Sequence, residues 1–305
     1  MYKKAVLAVT VLAIIFISTP RKNLSSGSES RVSAASNTAI QAAPAVKPSP
    51  KLPSKLGEVP LPQTSAKAIL ALDLETNEKL LEQHADEKLP TASLTKLMTA
   101  MVVSDTVSET DVVTIQKPDV QVECSCMGLV AGEQITVENL LKGLLIPSGN
   151  DAAQALARFA GGDSVQNFVY LMNQKAETLG LSSTHFSNPV GLDSPGNYST
   201  ANDLAKITES FLKYPELEKI VATAGVNVSS VDGKIVHKLR TSNKLLLTDS
   251  DVVGVKTGYT DEAQGNLIVK IERDKAQVLT VVLNTPDREG DTQKVIDWIF
   301  AEYSW

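Results

Sequence analysis

Three short motifs carry most of the reactive side chains in this 305-residue chain. A Ser-x-x-Lys motif occupies residues 93–96, Ser-Gly-Asn occupies 148–150, and Lys-Thr-Gly occupies 256–258. Together they offer a nucleophilic hydroxyl, an amine one helical turn away, a second hydroxyl with an amide, and a cationic strand. These are the components of an acyl-transfer site that works without a Ser-His-Asp triad. Because Ser-x-x-Lys also occurs at 210–213, the indication comes from the ordered set and not from one motif.

Ser93 and Lys96 are the predicted nucleophile and base. At the start of a helix, the Ser93 hydroxyl would lie near unpaired N–H groups and the positive end of the helix dipole. Lys96 follows three residues later, so it lies on the same face and can reach that hydroxyl. The amine must be neutral to act as a base, and burial or a second cation such as Lys256 would lower its pKa. Without the other motifs, a helix-capping serine and a solvent-reaching lysine would be the simpler interpretation.

The second motif precedes a predicted helix, so a helix cap with a glycine turn is its structural interpretation. As part of a reactive site, Ser148 would relay a proton. The side-chain amide of Asn150 would hydrogen-bond to the substrate or to Lys96.

The third motif is predicted to bind the substrate. Lys256 would offer positive charge to a substrate carboxylate, and Thr257 would offer a hydroxyl to the same group. Gly258 would let the substrate backbone approach the strand closely. The backbone N–H groups of Tyr259 and Ser93 would form an oxyanion hole. The alternative is an edge strand that carries an ordinary surface lysine.

The composition excludes several function classes. A net charge of −6 and a pI near 5.3 argue against a nucleic-acid binder. The sequence has three histidines and contains neither His-Glu-x-x-His nor Cys-x-x-Cys, so neither a metal nor another cofactor is expected. With 43% hydrophobic residues, the chain can bury one large core or two smaller ones.

The two cysteines, Cys124 and Cys126, are one residue apart. A disulfide that closes so small a ring would be strained, which favours two small, partly buried thiols beside the site. A metal-binding or redox role is the weaker alternative.

The N-terminus indicates export. Lys3 and Lys4 precede an almost purely apolar run at 5–17, a pattern typical of a signal peptide. As a helix this run would span about 20 Å, short of the roughly 30 Å hydrocarbon core, which favours a cleaved signal. Because no good cleavage site follows directly, a retained anchor stays open as well. We therefore expect a signal or anchor at 1–20, a disordered Ser/Ala/Pro-rich linker at 21–60 and a folded domain at 61–305.

Periodicity predicts strands near both ends of that domain and helices between them. The predicted strands cover 68–74, 79–82, 226–228, 234–239, 252–256, 266–272 and 277–283. The predicted helices begin at Ser93 and cover 137–145, 150–160, 164–179 and 200–214, followed by a last helix with Val295, Ile296, Ile299, Phe300 and Tyr303 on one face. This order predicts an α/β fold of the α+β type, with one antiparallel sheet built from both halves of the chain and helices on both faces. An inserted all-helical lobe would form the other wall of a cleft.

Several longer stretches resemble a known family beyond the three motifs. They cover 90–99, 148–152, 184–193, 198–205, 241–246 and 254–260. Over roughly residues 60–305, the chain resembles the serine-type D-Ala-D-Ala carboxypeptidases, the low-molecular-mass penicillin-binding proteins of peptidase family S11. The resemblance implies a DD-peptidase/β-lactamase-like fold and an acyl-enzyme on Ser93. It also implies peptidoglycan stem peptides as substrates and β-lactams as covalent inhibitors, outside the cytoplasmic membrane.

The chain departs from the family pattern in three places. Residues 263–266 read Ala-Gln-Gly-Asn where Ala-Gly is common, and cysteines flank Ser125. Many members continue into a C-terminal β domain with a membrane-associating tail, whereas this sequence stops just after its last predicted helix. We therefore expect membrane contact only through the N-terminal segment.

Three other functions remain open at this point. A β-lactamase of class A would need a Glu-x-x-Leu-Asn stretch soon after the second motif, and the nearest candidate, at 209–213, lies about 60 residues on and lacks the Asn. A wall-binding protein could keep the cleft without catalysis. An endopeptidase that cleaves cross-links would use the same residues.

Overall fold

The computed structural model describes residues 51–123 and 125–305. The predicted export segment, most of the predicted linker and Cys124 lie outside these ranges. Within them, no helix has both the length and the apolar character needed to cross a bilayer.

The described residues form short and long strands with helices between them. The strands are β1 (Ser54–Lys55), β2 (Ala68–Asp73), β3 (Lys79–Gln83), β4 (Val112–Thr114), β5 (Gln134–Thr136), β6 (Gly225–Ser229), β7 (Val236–Arg240), β8 (Val252–Thr260), β9 (Gln264–Arg273), β10 (Ala276–Thr285) and β11 (Tyr303–Ser304). The helices are α1 (Thr95–Thr106), α2 (Val137–Leu145), α3 (Asn150–Ala160), α4 (Val165–Thr178), α5 (Ala201–Phe211), α6 (Pro215–Val221), α7 (Leu245–Thr248) and α8 (Arg288–Glu302).

The central sheet has five antiparallel strands in the order β3-β2-β10-β9-β8. Strands β2 and β10 pair with Ala71 opposite Thr280, and this pairing joins the two halves of the chain. The predicted assembly of one antiparallel sheet from both halves is confirmed.

Both faces of this sheet are buried. Along β10, Leu279 and Val281 belong to the core that contains the helices α1 to α6, whereas Val278 and Val282 belong to the core covered by α8. Successive side chains of a strand point to opposite faces, so burial on both sides produces the continuous apolar run seen in the sequence. The prediction of helices on both faces is confirmed.

The inserted lobe contains more than helices. Strands β4 and β5 pair with each other, as do β6 and β7, in two small antiparallel sheets. The prediction of an all-helical lobe is therefore wrong, and of the two pairs only β6 and β7 match strands predicted from the sequence. Strands β4 and β5 have three residues each, with Val113 and Ile135 buried between more exposed neighbours, so they are too short to show a repeating pattern.

The end of the described chain differs from the prediction in two ways. Strand β1 lies within the predicted linker, yet it pairs with β11, with Lys55 opposite Tyr303. The prediction that Tyr303 lies on the last helix is wrong, because α8 ends at Glu302 and Tyr303 begins β11. The side chains of β1 are exposed, so its pairing leaves no apolar pattern in the sequence.

Candidate active site

The first two motifs each contribute a residue to the lining of one cleft of about 580 Å³, and the segment that follows the third motif lines it as well. Lys96, Ser148 and the third motif itself are not among the described residues that line it. Ser93 lies in a short 3₁₀ turn, Ala92–Leu94, that leads into α1. Asn150 begins α3, and Lys256 lies in β8, the strand at the edge of the central sheet. Ser93, Asn150 and Tyr259 line the cleft. Segments far apart in the sequence are therefore brought together, as the motif set predicted.

Lys96 is 0% exposed, and its amine lies among three oxygen atoms. Nζ is 2.9 Å from Ser93 Oγ, and it donates to Asn150 Oδ1 and to the Val190 carbonyl at 2.7 Å each. A neutral amine has two N–H donors and one lone pair, and the two carbonyl oxygens can only accept. The lone pair is therefore left for the Ser93 hydroxyl, which is the arrangement of a general base.

Burial lowers the pKa of Lys96 to about 7, and the negative charge of Asp151 opposes that shift. A substantial fraction of the amine is thus neutral near neutral pH. Of the two causes expected from the sequence, burial lowers the pKa of Lys96, whereas the second cation, Lys256, is not among the causes of its shift. The pKa of Lys256 also lies well below its usual range because of burial and then because of the charges of Lys96 and Arg288.

Ser148 is held against Lys256. Lys256 is 1% exposed, and its Nζ donates to Ser148 Oγ at 2.8 Å and to the Thr257 carbonyl at 2.9 Å. Ser148 has a φ of +66°, in the left-handed region. The N-cap of α3 is Gly149 and not Ser148, so the serine hydroxyl remains available for proton transfer.

The Asn150 side chain connects the base to one wall of the cleft. Its Oδ1 accepts from Lys96, its Nδ2 donates to the Glu123 carbonyl at 2.6 Å, and its backbone N–H donates to the Ser125 carbonyl at 2.6 Å. Of the two partners expected for this amide, the structure shows Lys96. Ser125 lines the cleft and donates to the Pro147 carbonyl at 3.0 Å.

The contacts of Gly258 and Thr257 in the third motif differ from those expected from the sequence. A Cβ at Gly258 would lie 3.0 Å from Ala92 Cβ and 3.1 Å from the Ser93 nitrogen. The glycine therefore allows the 3₁₀ turn Ala92–Leu94 to pack on β8, and because Ser93 is the predicted nucleophile we call it the nucleophile turn. The space at Gly258 was predicted to admit the substrate backbone instead. The Thr257 hydroxyl is 2.6 Å from Ser242 Oγ. Tyr259 is 60% exposed at the mouth of the cleft.

One turn of the site was not predicted from the sequence: the turn whose Val190 carbonyl accepts a hydrogen bond from Lys96. Asn188 Oδ1 accepts from the N–H groups of Val190 and Gly191, at 3.2 and 2.7 Å, and this turns the Val190 carbonyl toward the amine. Gly191 has a φ of +88°, and a Cβ there would lie 1.9 Å from the Ala92 carbonyl oxygen. The Asn-Pro-Val-Gly sequence signals a tight turn. It does not show which carbonyl meets Lys96.

The same segment is tied to the end of β8 across the cleft. Asp193 accepts from the Thr260 hydroxyl at 2.5 Å and from the Glu262 backbone N–H at 3.2 Å. Asp193 was not predicted to belong to the site, because a lone carboxylate in a loop gives no signal for such a role.

Other sequence candidates lie elsewhere. Glu209, the residue that a β-lactamase would need, is not among the described residues that line the cleft, and it lines a separate cavity with Lys213 and Lys270. The expectation of a free thiol is wrong for Cys126, which is disulfide-bonded. In residues 51–123 and 125–305, no group of three His, Cys, Asp or Glu side chains could hold a metal ion.

Comparison with known proteins gives consistent matches. A family model described as D-alanyl-D-alanine carboxypeptidase matches residues 55–287. The chain is 34% identical to D-alanyl-D-alanine carboxypeptidase DacF of Bacillus subtilis, over 78% of this chain and 63% of that protein. It is 33% identical to D-alanyl-D-alanine carboxypeptidase DacB2 of Mycobacterium tuberculosis, over 80% of this chain and 86% of that protein. The crystal structure of the Streptomyces K15 DD-transpeptidase superimposes with a TM-score of 0.75 at 35% identity, over 80% of this chain and all of that one.

Proposed function

The chain belongs to the D-alanyl-D-alanine carboxypeptidase family, and on that basis we propose that it removes the terminal D-alanine from peptidoglycan stem peptides. The observation that carries this proposal is the environment of Lys96, whose buried amine has two acceptor partners and one hydroxyl partner, Ser93. This pair supplies a nucleophile and its base without a histidine.

In the proposed reaction, Lys96 takes the proton of Ser93, and Ser93 Oγ forms a bond to the penultimate carbonyl carbon of the stem peptide. The N–H groups of Ser93 and Tyr259 stabilise the oxyanion. The carbon–nitrogen bond then breaks, and a proton reaches the leaving amine through Ser148 as D-alanine departs. Water hydrolyses the ester on Ser93 and restores the enzyme.

The free carboxylate of the substrate is assigned to Lys256 and Thr257. Among the described residues, the Lys256 amine contacts a hydroxyl and a backbone carbonyl but no carboxylate. A buried cation without a counter-ion is costly, so an incoming carboxylate stabilises its charged form. The Thr257 hydroxyl, oriented by Ser242, provides a second donor to the same group.

The proposed location is outside the cytoplasmic membrane. This rests on the Lys-Lys-apolar pattern at the N-terminus and on the peptidoglycan substrate. The N-terminal residue of the mature protein shows whether residues 1–20 are cleaved as a signal or retained as an anchor.

The test uses the exported full chain and two matched serine variants. After incubation with penicillin, mass spectrometry should find the adduct on Ser93, and a pentapeptide stem should lose its terminal D-alanine. Ser93→Ala should abolish both, whereas Ser210→Ala, in the second Ser-x-x-Lys motif, should leave both intact.

D-Alanine release by a folded Ser93→Ala variant would contradict the proposal. Rapid turnover of nitrocefin without a stable adduct would indicate a β-lactamase. Cleavage of cross-linked peptides in preference to the pentapeptide would indicate an endopeptidase.

A further inference from the structure

Asp151 lies behind the cleft wall and is not among the described residues that line it. Resting on the proposed function, we propose that Asp151 is a positioning residue for the reaction: it fixes the wall around Ser125 and acts by its charge on the base Lys96. It follows Asn150 directly, so one helix turn carries both the contact to the base and the anchor of the wall.

Four backbone N–H groups donate hydrogen bonds to the Asp151 carboxylate. It is 2% exposed. Its Oδ1 accepts from Met127 at 2.9 Å and from Ala152 at 2.8 Å, and its Oδ2 accepts from Gly128 at 2.9 Å and Leu129 at 3.0 Å. Three consecutive residues of the segment 125–129, called here the wall segment because Ser125 lines the cleft, are thus held by one side chain on α3.

These contacts require a carboxylate. Both of its oxygens accept, and four N–H groups share them. An asparagine in the same place would offer one oxygen and one NH₂ group, so one pair of backbone donors would face another donor. A buried donor left without an acceptor costs about 1–3 kcal/mol, so the segment would move.

The wall segment is fixed to α3 at two neighbouring points. Asn150 binds the carbonyls of Glu123 and Ser125, and Asp151 binds the N–H groups of 127–129. If the Asp151 contacts are lost, only the Asn150 contacts remain to hold Ser125 and to orient the Asn150 amide. Because Asn150 Oδ1 is also a partner of Lys96, a displacement of the wall reaches the base.

Asp151 also affects Lys96 in a second way, through its negative charge. Burial lowers the pKa of Lys96, and the Asp151 charge raises it. The other charged groups around this site are Lys256 on β8 and, next to it, Arg288 on α8. Glu123, Asp193 and Asp261 line the cleft and are exposed, where solvent screens them.

The test is the pH profile of Ser93 acylation by penicillin, measured on the full chain. Asp151→Asn preserves the shape and removes the charge. We expect the midpoint of the profile to move to lower pH, because the base holds its proton less tightly. We also expect the plateau rate to fall roughly 100-fold, the loss that a misplacement of about 1 Å produces.

Asp203→Asn is the matched control. Asp203 is also buried in the first turn of a helix, α5, and also holds a loop, through the Ser183 N–H and the Thr184 hydroxyl. This variant should lose stability while the midpoint stays where it is. A purely structural role for Asp151 predicts the same behaviour for both variants.

Asp151→Glu separates the two effects and covers the case in which Asp151→Asn does not fold. It keeps the charge and shifts the carboxylate, so we expect the parent midpoint with a lowered plateau. A midpoint that falls in Asp151→Glu, or a folded Asp151→Asn with unchanged midpoint and plateau, would overturn the inference. Acylation of Ser93 in the parent protein tests the proposed function separately, because it does not depend on either Asp151 variant.

Discussion

At Lys96, one buried nitrogen contacts three oxygen atoms, and Ser93 is the partner with a proton to give. The protonated amine could donate to all three oxygens. The neutral amine can donate to the two carbonyls and accept from the hydroxyl. The same geometry therefore stabilises both protonation states, and pH decides which one is present.

The acylation rate of Ser93 should follow the neutral fraction of Lys96. Its pKa is lowered to about 7, so protonation at low pH removes the base and the rate should rise as pH increases through about 7. At pH 6 roughly one-tenth of the amine would be neutral. Because Lys256 is buried next to this site, the measured midpoint belongs to the coupled pair. Stopped-flow acylation between pH 5 and 9 gives the profile. A flat profile, or a midpoint near that of a free lysine, would contradict the assignment of the base.

Ser148 offers a second test at this scale. Ser148→Ala removes the hydroxyl that contacts Lys256, and we expect D-alanine release to fall about 10²- to 10⁴-fold, the usual contribution of a proton-transfer group. Ser104→Ala is the control, because the Ser104 hydroxyl is buried without a hydrogen-bond partner in the described part of the chain. Equal activity in the two variants would remove Ser148 from the mechanism.

The sequence was informative about side chains with distinctive chemistry and much less so about backbone partners. Ser93, Lys96, Ser148 and Lys256 could be predicted because their residue types and order carry the signal. The Val190 carbonyl could not, since every residue has a carbonyl and only the folded turn aims this one at Lys96.

At the scale of elements, the turn at 188–193 has to pack closely on the nucleophile turn. Gly191 faces the Ala92 carbonyl, and Gly258 faces Ala92 and Ser93 from β8. Two glycines thus let a loop and a strand contact the 3₁₀ turn from different directions. Their positions follow from tertiary packing, so the motif pattern alone could not show what Gly191 does.

Gly191→Ala should displace this turn and reduce acylation. Its Cβ would lie 1.9 Å from the Ala92 carbonyl oxygen, so either the Val190 carbonyl or the nucleophile turn must move. We expect a loss of roughly 100-fold, as for a misplacement of about 1 Å.

Gly180→Ala is a control matched in backbone strain. Gly180 also has a positive φ, +69°, but a Cβ added there would meet none of the described residues within 4 Å. This variant should cost about 1 kcal/mol of folding free energy and leave the acylation rate unchanged. Equally slow acylation in both variants would show that backbone strain, and not the contact with Ala92, lowers the rate. Acylation at the parent rate in both would show that the close contact with Ala92 does not matter for the reaction.

At the scale of the molecule, periodicity predicted the central sheet because four of its five strands, β2, β8, β9 and β10, are mostly buried on both faces. The same reasoning failed for β1 and β11, which have two residues each. Both side chains of β1 are exposed, and β11 has only one buried side chain, Tyr303, so neither strand shows a repeating pattern. Their pairing nevertheless closes the second core, in which Trp298 and Tyr303 are buried. The boundary of the folded body therefore depends on backbone hydrogen bonds rather than on composition.

Glu302 should be the main attachment point for residues 54–59. Its carboxylate accepts from the Val59 N–H at 2.7 Å, and its backbone carbonyl accepts from the Leu56 N–H at 2.7 Å. Glu302→Ala removes the acceptor for the N–H of Val59, an exposed residue, so we expect a loss of about 0.5–1.5 kcal/mol in unfolding free energy, the net contribution of one hydrogen bond. For a domain of this size, each kcal/mol lowers Tm by about 2–4 °C.

Glu138→Ala is the comparison, since Glu138 forms an exposed pair with Lys142 on α2. An exposed helix pair contributes about 0.3–0.5 kcal/mol, so its Tm should barely change. Trypsin should also cut after Lys55 faster in Glu302→Ala than in the parent, because β1 detaches more often from β11. If Glu302→Ala melts with the parent and Lys55 is no more accessible, the Glu302 carboxylate does not hold residues 54–59. In that case the backbone pairing of β1 with β11, which this substitution leaves in place, is enough to keep them attached.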